Sequence, residues 1–128
     1  NLFHGRVEEG GLRVGGDAVP HDHEDLTHGS EVYAFARPHE LDIITDPTVT
    51  DGIAAQVNRV LNFGLSARVE LDGVNGATGQ HFEVEITQER ARNLDLTSGQ
   101  VVRLLPSRLK VFERNQSPPA ATHGPLRP

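Results

Sequence analysis

The chain has 128 residues, of which 36% are hydrophobic and 23% are charged, as expected of one globular domain. Its formal net charge of −6 argues against general binding to nucleic acid or to an anionic membrane, because both need a basic surface. The absence of cysteine excludes a disulfide framework, and no apolar run is long enough for a membrane-spanning helix or a signal peptide.

The first thirty residues predict short strands joined by glycine turns. Weak apolar alternation predicts a strand over 3–7, and paired glycines provide tight turns before two further strands at 12–14 and 18–20. Residues 21–30 hold three histidines and three acidic residues with almost no apolar partner, which is typical of a solvated loop. A loose metal site on His21, His23 and His28 is the alternative. Because nothing there would fix the ligands, we expect no bound metal.

Residues 31–43 carry the strongest early signal. Apolar residues on both faces of a strand over 31–37 predict that this strand is covered on both sides. Pro38 lacks the N–H that a ladder needs and ends the strand, and Leu41 and Ile43 begin another. Arg37 and His39 are candidate ligand-binding residues, since a guanidinium can bind an oxyanion through two hydrogen bonds. The alternative is that Arg37 pairs with a nearby carboxylate. We favour it because an oxyanion site usually needs a glycine nest or a second cation, and the sequence shows neither near Arg37.

A connector near 45–52 is predicted between two halves, and a meander of strands at 53–61, 65–71 and 82–86 follows it. In the middle strand the inward positions are Leu65, Ala67, Val69 and Leu71. Basic residues of the later strands are expected to point outward and to pair with Glu70, Glu83 and Glu85. These basic residues are Arg59, Arg68, Arg103, Arg108 and Lys110.

Thr87 is predicted to cap a short helix over 88–94, in which Ala91 and Leu94 can face the core. Two strands at 101–105 and 108–112 close the domain, and residues 113–128 are predicted to be a disordered tail. About nine short strands with many glycine turns and one helix predict a mainly β fold. We expect a closed or nearly closed antiparallel barrel over residues 1–112.

The order of several motifs resembles the C-terminal regulatory domain found in the ATP-binding subunits of ABC importers for sulfate and thiosulfate. Each motif is short, but they follow one another in the family's order over most of the chain. They are the opening Asn1-Leu2-Phe3-x-Gly5-Arg6-Val7, the junction Arg37-Pro38-His39-Glu40, the segment Glu85 to Arg90, the turn Leu96-x-x-Gly99-Gln100-x-Val102, and the closing strand Arg108 to Phe112.

This resemblance implies an OB-like barrel of the TOBE type that regulates an ATPase. The barrel would lie beside the nucleotide-binding domain of the same subunit and contact the twin subunit of a homodimer. Through the full-length protein it would join the permease subunits, peripherally on the cytoplasmic face of the inner membrane. Methionine is absent, so we interpret Asn1 as an internal or processed end and the chain as a fragment.

The chain contains no Gly-x-x-x-x-Gly-Lys-Ser/Thr loop to cradle nucleotide phosphates, so we expect no ATP hydrolysis by this fragment and no cofactor in it. No nucleic-acid partner is expected either, since the few aromatic residues fall mostly at inward positions. The alternative function is a stand-alone barrel that binds an oxyanion such as molybdate or sulfate.

Overall fold

The computed structural model describes residues 1–21, 26–74 and 80–113. Residues 22–25, 75–79 and 114–128 lie outside the described residues, so the prediction of a solvated loop at 22–25 and that of a disordered tail at 114–128 fall outside them as well. Within the described part, no helix is both long and apolar enough to cross a bilayer.

Strands account for most of the described chain. In order they are β1 (Leu2–Glu8), β2 (Gly11–Val14), β3 (Asp17–Pro20), β4 (Glu31–Phe35), β5 (Leu41–Ile44), β6 (Ile53–Phe63), β7 (Ser66–Gly73), β8 (His81–Thr87), β9 (Val101–Pro106) and β10 (Lys110–Glu113). A 3-10 helix (Pro38–Glu40) follows β4, and the helix α1 (Gln88–Leu94) follows β8. The Oγ1 of Thr87 accepts the N–H of Arg90 at 3.0 Å, so the predicted N-cap of α1 is confirmed.

The strands form two antiparallel sheets of five strands each. The first sheet has the order β10-β4-β1-β2-β3, and the second has the order β5-β9-β6-β7-β8. In the second sheet the edge strands β5 and β8 contact one another, so this sheet curls into a nearly closed barrel. Arg90 on α1 reaches β5, where its Nη2 donates to the carbonyl of Ile43 at 3.1 Å. The predicted antiparallel, mainly β architecture with one helix at 88–94 is therefore confirmed.

One hydrophobic core is shared by both sheets. Phe3 of the first sheet and Phe82 of the second are fully buried, with ring centroids 5.6 Å apart. Ala67, Val69 and Leu71 of β7 are buried at alternate positions, as the period of two predicts. The prediction for Leu65 is wrong: its side chain is 91% exposed. Leu65 belongs to the turn before β7, where the alternation of a strand no longer applies.

A buried ion pair joins the two sheets at β3. The carboxylate of Asp17 accepts from Nη1 of Arg103 on β9 at 2.9 Å and from the N–H of Ala54 at 3.0 Å. The same Nη1 donates to the carbonyl of Gly52 at 3.1 Å. The prediction that Arg103 points to solvent is wrong. Its guanidinium is drawn inward because the Asp17 side chain is only 1% exposed and carries a charge that needs a partner.

Gly52 completes this junction. Its N–H donates to the carbonyl of Ala18 on β3 at 2.8 Å. Its φ of 99° lies in the left-handed region, and a Cβ at this position would stand 2.8 Å from the carbonyl oxygen of Leu104. Only glycine satisfies both requirements without strain.

Asn1 joins the sheets at a second place. Its side-chain amide pairs with the backbone of Glu83 on β8, donating to the carbonyl at 2.8 Å and accepting the N–H at 2.7 Å. Its own carbonyl accepts the N–H of Ala36 at 3.0 Å. The amide of Asn1 therefore occupies the edge of β8 as a neighbouring strand would.

The chain passes from the first sheet to the second through the 3-10 helix at Pro38–Glu40. Residues 45–52 connect β5 to β6, which both belong to the second sheet. The division of the chain into two halves at this connector stays a prediction.

Candidate functional site

The Arg37–Glu40 junction is shaped by its own hydrogen bonds. Arg37 is extended, and its N–H donates to Oε1 of Glu40 at 2.9 Å, while its carbonyl accepts the N–H of Glu40 at 2.9 Å. The guanidinium of Arg37 lies 3.8 Å from Oε2 of the same carboxylate. This pairing is the arrangement that the alternative for Arg37 predicted. The assignment of Arg37 and His39 as ligand-binding residues stays a prediction.

Glu40 organises the surroundings of this junction. Its side chain is only 11% exposed, and the hydrogen bond from the Arg37 N–H is the main cause that lowers its pKa below the ordinary value of 4.5. Partial burial opposes that effect, and the positive charges of Arg37, His39 and Arg108 add to it. The carbonyl of Glu40 accepts both the N–H and the Oγ of Ser107, at 2.8 and 3.2 Å. The turn before β10 is thereby fixed against the 3-10 helix.

Three exposed cations and the exposed imidazole of His39 lie near Glu40 and the end of β4. We call Arg37, His39, Arg108 and Lys110 the basic cluster. Lys110 lies directly opposite Phe35 in the β10–β4 pairing, and Cζ of Arg37 lies 6.0 Å from the centroid of the Phe35 ring. Among the described residues, Glu40 is the one acidic residue that forms an ion pair with a member of the cluster. A locally positive surface therefore stands on a chain whose net charge is −6.

Sequence reasoning identified half of this cluster. Arg37 and His39 lie close together in the chain, but Arg108 and Lys110 were expected to pair with Glu70, Glu83 and Glu85 on the later strands. They join the cluster because β10 pairs with β4 of the first sheet. That pairing is a long-range contact without a local sequence signal. The predictions for Arg59 and Arg68 are confirmed: Arg59 pairs with Glu70 at 2.8 Å, and Arg68 with Glu83 and Glu85 at 3.5 and 3.8 Å.

Aromatic side chains continue the basic cluster along the outer face of the first sheet. The prediction that β4 is covered on both faces is wrong, because Tyr33 and Phe35 remain partly exposed on this side. The rings of His4 and Tyr33 meet edge to face at 4.9 Å, and Phe112 lies opposite Tyr33 in the pairing. His4, Tyr33 and Phe112 therefore shield one another from solvent on a face of the sheet that no other element of the described chain covers.

A groove of about 350 Å³ crosses the same face between β1, β2 and β4. It contains two arginines, but Arg6 pairs with Glu31 at 3.2 Å and Arg13 with Glu8 at 3.0 Å. Because both charges are compensated, the groove offers no surplus of positive charge to an anion. Among the residues that the structure describes, no group of three or more His, Asp or Glu side chains could hold a metal ion.

Two family models match the chain. Residues 1–43 match the CysA C-terminal regulatory domain, and residues 47–107 match a TOBE-like domain. Sulfate/thiosulfate import ATP-binding protein CysA 1 of Chromobacterium violaceum is 39% identical over 88% of the chain and 30% of the relative. Sulfate/thiosulfate import ATP-binding proteins CysA of Bacillus cereus (strain ATCC 10987 / NRS 248) and Ralstonia nicotianae are 37% and 35% identical. They are matched over 88% and 91% of the chain and over 31% and 32% of their own lengths. The chain therefore spans about a third of these relatives.

A solved structure shares the fold. The cytoplasmic molybdate-binding protein ModG, with molybdate bound, superposes with a TM-score of 0.67 at 20% identity, over 88% of the chain and 95% of ModG. At this identity the likeness concerns the fold, and it confirms the predicted OB-like barrel of the TOBE type. The resemblance expected from the sequence motifs is therefore confirmed, because residues 1–43 match the CysA C-terminal regulatory domain and residues 47–107 match a TOBE-like domain.

Proposed function

We propose that the chain is the regulatory domain of the ATP-binding subunit of a sulfate or thiosulfate importer. The observation that carries this proposal is the match of both family models in the order expected from the sequence motifs. The similar relatives named above are import ATP-binding proteins about three times as long as the matched region. Since this sequence has no phosphate-binding loop, ATP hydrolysis belongs to the part of such a subunit that the chain does not span.

In this proposal the domain acts by protein contact. Its neighbours would be the nucleotide-binding domain of the same subunit and the twin subunit, with the permease reached through the complete protein at the cytoplasmic face of the membrane. The tip of the β6–β7 hairpin supports such a role, because Phe63 and Leu65 are 59% and 91% exposed. The tip is also held in place, since the N–H of Gln88 donates to the carbonyl of Leu65 at 2.9 Å.

The test is radiolabelled sulfate uptake in a bacterial strain that lacks its own sulfate importer ATPase. The complete gene should restore uptake, and replacing Phe63 and Leu65 by serine should reduce uptake or its regulation without loss of the folded protein. A matched control replaces Val101, which is 57% exposed away from the hairpin tip, by serine. A complete gene that encodes no phosphate-binding loop, or that restores no uptake, would refute the proposal.

The second candidate function is oxyanion binding by the chain itself, with Arg37 and His39 as contact residues. Its support is the shared fold with a molybdate-binding protein and the local excess of cations. The engagement of Arg37 by Glu40 speaks against it, because a bound oxyanion would have to displace that carboxylate. Calorimetric titration with sulfate, thiosulfate and molybdate distinguishes the two candidate functions. If the domain acts only by protein contact, none of the three anions should release heat or stabilise the protein thermally.

A further inference from the structure

The outer edge of β10 is an open strand edge. β10 is the terminal strand of the first sheet and pairs with β4 on one side only. Within 1–21, 26–74 and 80–113, no segment hydrogen-bonds to its other side. Unpaired N–H and C=O groups on such an edge are a template for one more strand.

The strand that carries this edge is firmly placed. Leu109 and Val111 pack against the shared hydrophobic core, and Ser107 is tied to the carbonyl of Glu40. At the other end, the carboxylate of Glu113 accepts the N–H of Thr27 at 3.2 Å. The edge is therefore preorganised, which lowers the cost of adding a strand to it.

The chemistry beside the edge selects for negative charge. Arg108 and Lys110 are exposed, and no carboxylate among the described residues forms an ion pair with either of them. Lys110 and Phe112 lie two positions apart in β10, so they share the outer face of the sheet. An added strand would place two of its own alternate side chains beside them. The matching pattern is an acidic residue next to Lys110 and an apolar residue next to Phe112.

We propose that the open edge of β10, together with the basic cluster, is a docking site for an extended acidic segment of a partner protein, which binds as an additional strand. This proposal does not depend on the transport function, because it concerns binding by the chain alone. The backbone of β10 would supply the main-chain hydrogen bonds, and the cations and Phe112 would supply the selectivity.

A small oxyanion fits this surface less well than an extended segment. None of the described glycines with positive φ lies between residues 30 and 51 or between 100 and 113, so no backbone nest converges on the cations. The cations instead follow one another along the strand and the preceding turn. Anionic membranes and nucleic acids present dense negative charge over large areas, which the net charge of −6 repels.

The test is fluorescence anisotropy with a short fluorescein-labelled peptide in which glutamate and valine alternate on one face and threonine occupies the other. We expect saturable binding at low salt that weakens as salt is added. Charge reversal in R108E or K110E should weaken binding about tenfold, since each replaces an attraction by a repulsion. R92E is the matched control, because it changes the net charge equally but lies on α1, and it should leave the affinity unchanged. Circular dichroism verifies that each variant is folded.

Hydrogen exchange separates strand addition from simple charge attraction. The peptide should slow the exchange of backbone amides within β10, and the same peptide with lysine in place of glutamate should not bind. The proposal is overturned if the acidic peptide does not bind, if R92E weakens it as much as K110E, or if it binds without protecting any β10 amide. Binding of phosphatidylglycerol vesicles or a single-stranded oligonucleotide in place of the peptide would overturn it as well.

Discussion

The buried pair of Asp17 and Arg103 gives the sharpest test of how the two sheets are held together. Replacing Arg103 by leucine removes the guanidinium 2.9 Å from a carboxylate whose side chain is 1% exposed. Breaking a buried ion pair in this way costs about 3–5 kcal/mol. Because the Arg103 side chain is itself 26% exposed, we expect the lower end, about 3 kcal/mol. For a domain of this size the midpoint of thermal unfolding should fall by about 10 °C.

Urea denaturation measures the free energy of unfolding, and the protein offers a matched control. Arg59 pairs with Glu70 at 2.8 Å, almost the same distance, but the side chain of Arg59 is 64% exposed. Arg59→Leu should therefore cost at most about 1 kcal/mol. The double variant D17N/R103L should be more stable than R103L alone, because asparagine leaves no charge in the interior. Equal losses in R103L and R59L would refute the reasoning, since burial would then not govern the strength of the pair.

Three further outcomes are expected. Gly52→Ala should destabilise the protein by about 2 kcal/mol in urea, since alanine must adopt a positive φ against the carbonyl of Leu104; a change below about half of 1 kcal/mol would show that the loop relaxes. Because the folded pKa of Glu40 is lowered, the stability that it contributes is present above pH 4.5 and is lost as the pH falls through the folded pKa. Glu40→Gln should therefore flatten the acid side of a stability–pH profile, and an unchanged profile would contradict this. Leu65→Ser should leave the thermal midpoint unchanged because the side chain is 91% exposed, and a clear decrease would place Leu65 in the core.

Local patterns predicted the elements well. Period-two alternation located β7 and β8, and the hydroxyl of Thr87 marked the start of α1. The failures at Arg103 and Lys110 share one physical cause, which is that pairing between distant strands has no local signal. The alternation in β9 predicts that Arg103 points outward, and only the three-dimensional structure shows that the Asp17 carboxylate of β3 lies beside it. Lys110 joins Arg37 only because β10 returns to β4. Half of the basic cluster was therefore predictable, and the other half required the topology.

The two polar junctions between the sheets have a mechanical consequence. Sliding one sheet over the other would break the Asp17–Arg103 ion pair and, at the same time, the two hydrogen bonds between the Asn1 side chain and the backbone of Glu83. The residues of each junction are far apart in the sequence. A force applied to one sheet would therefore be transmitted to the other sheet through these two junctions. We therefore expect the domain to move as one rigid unit, with its internal shape preserved, when its position or its neighbours change.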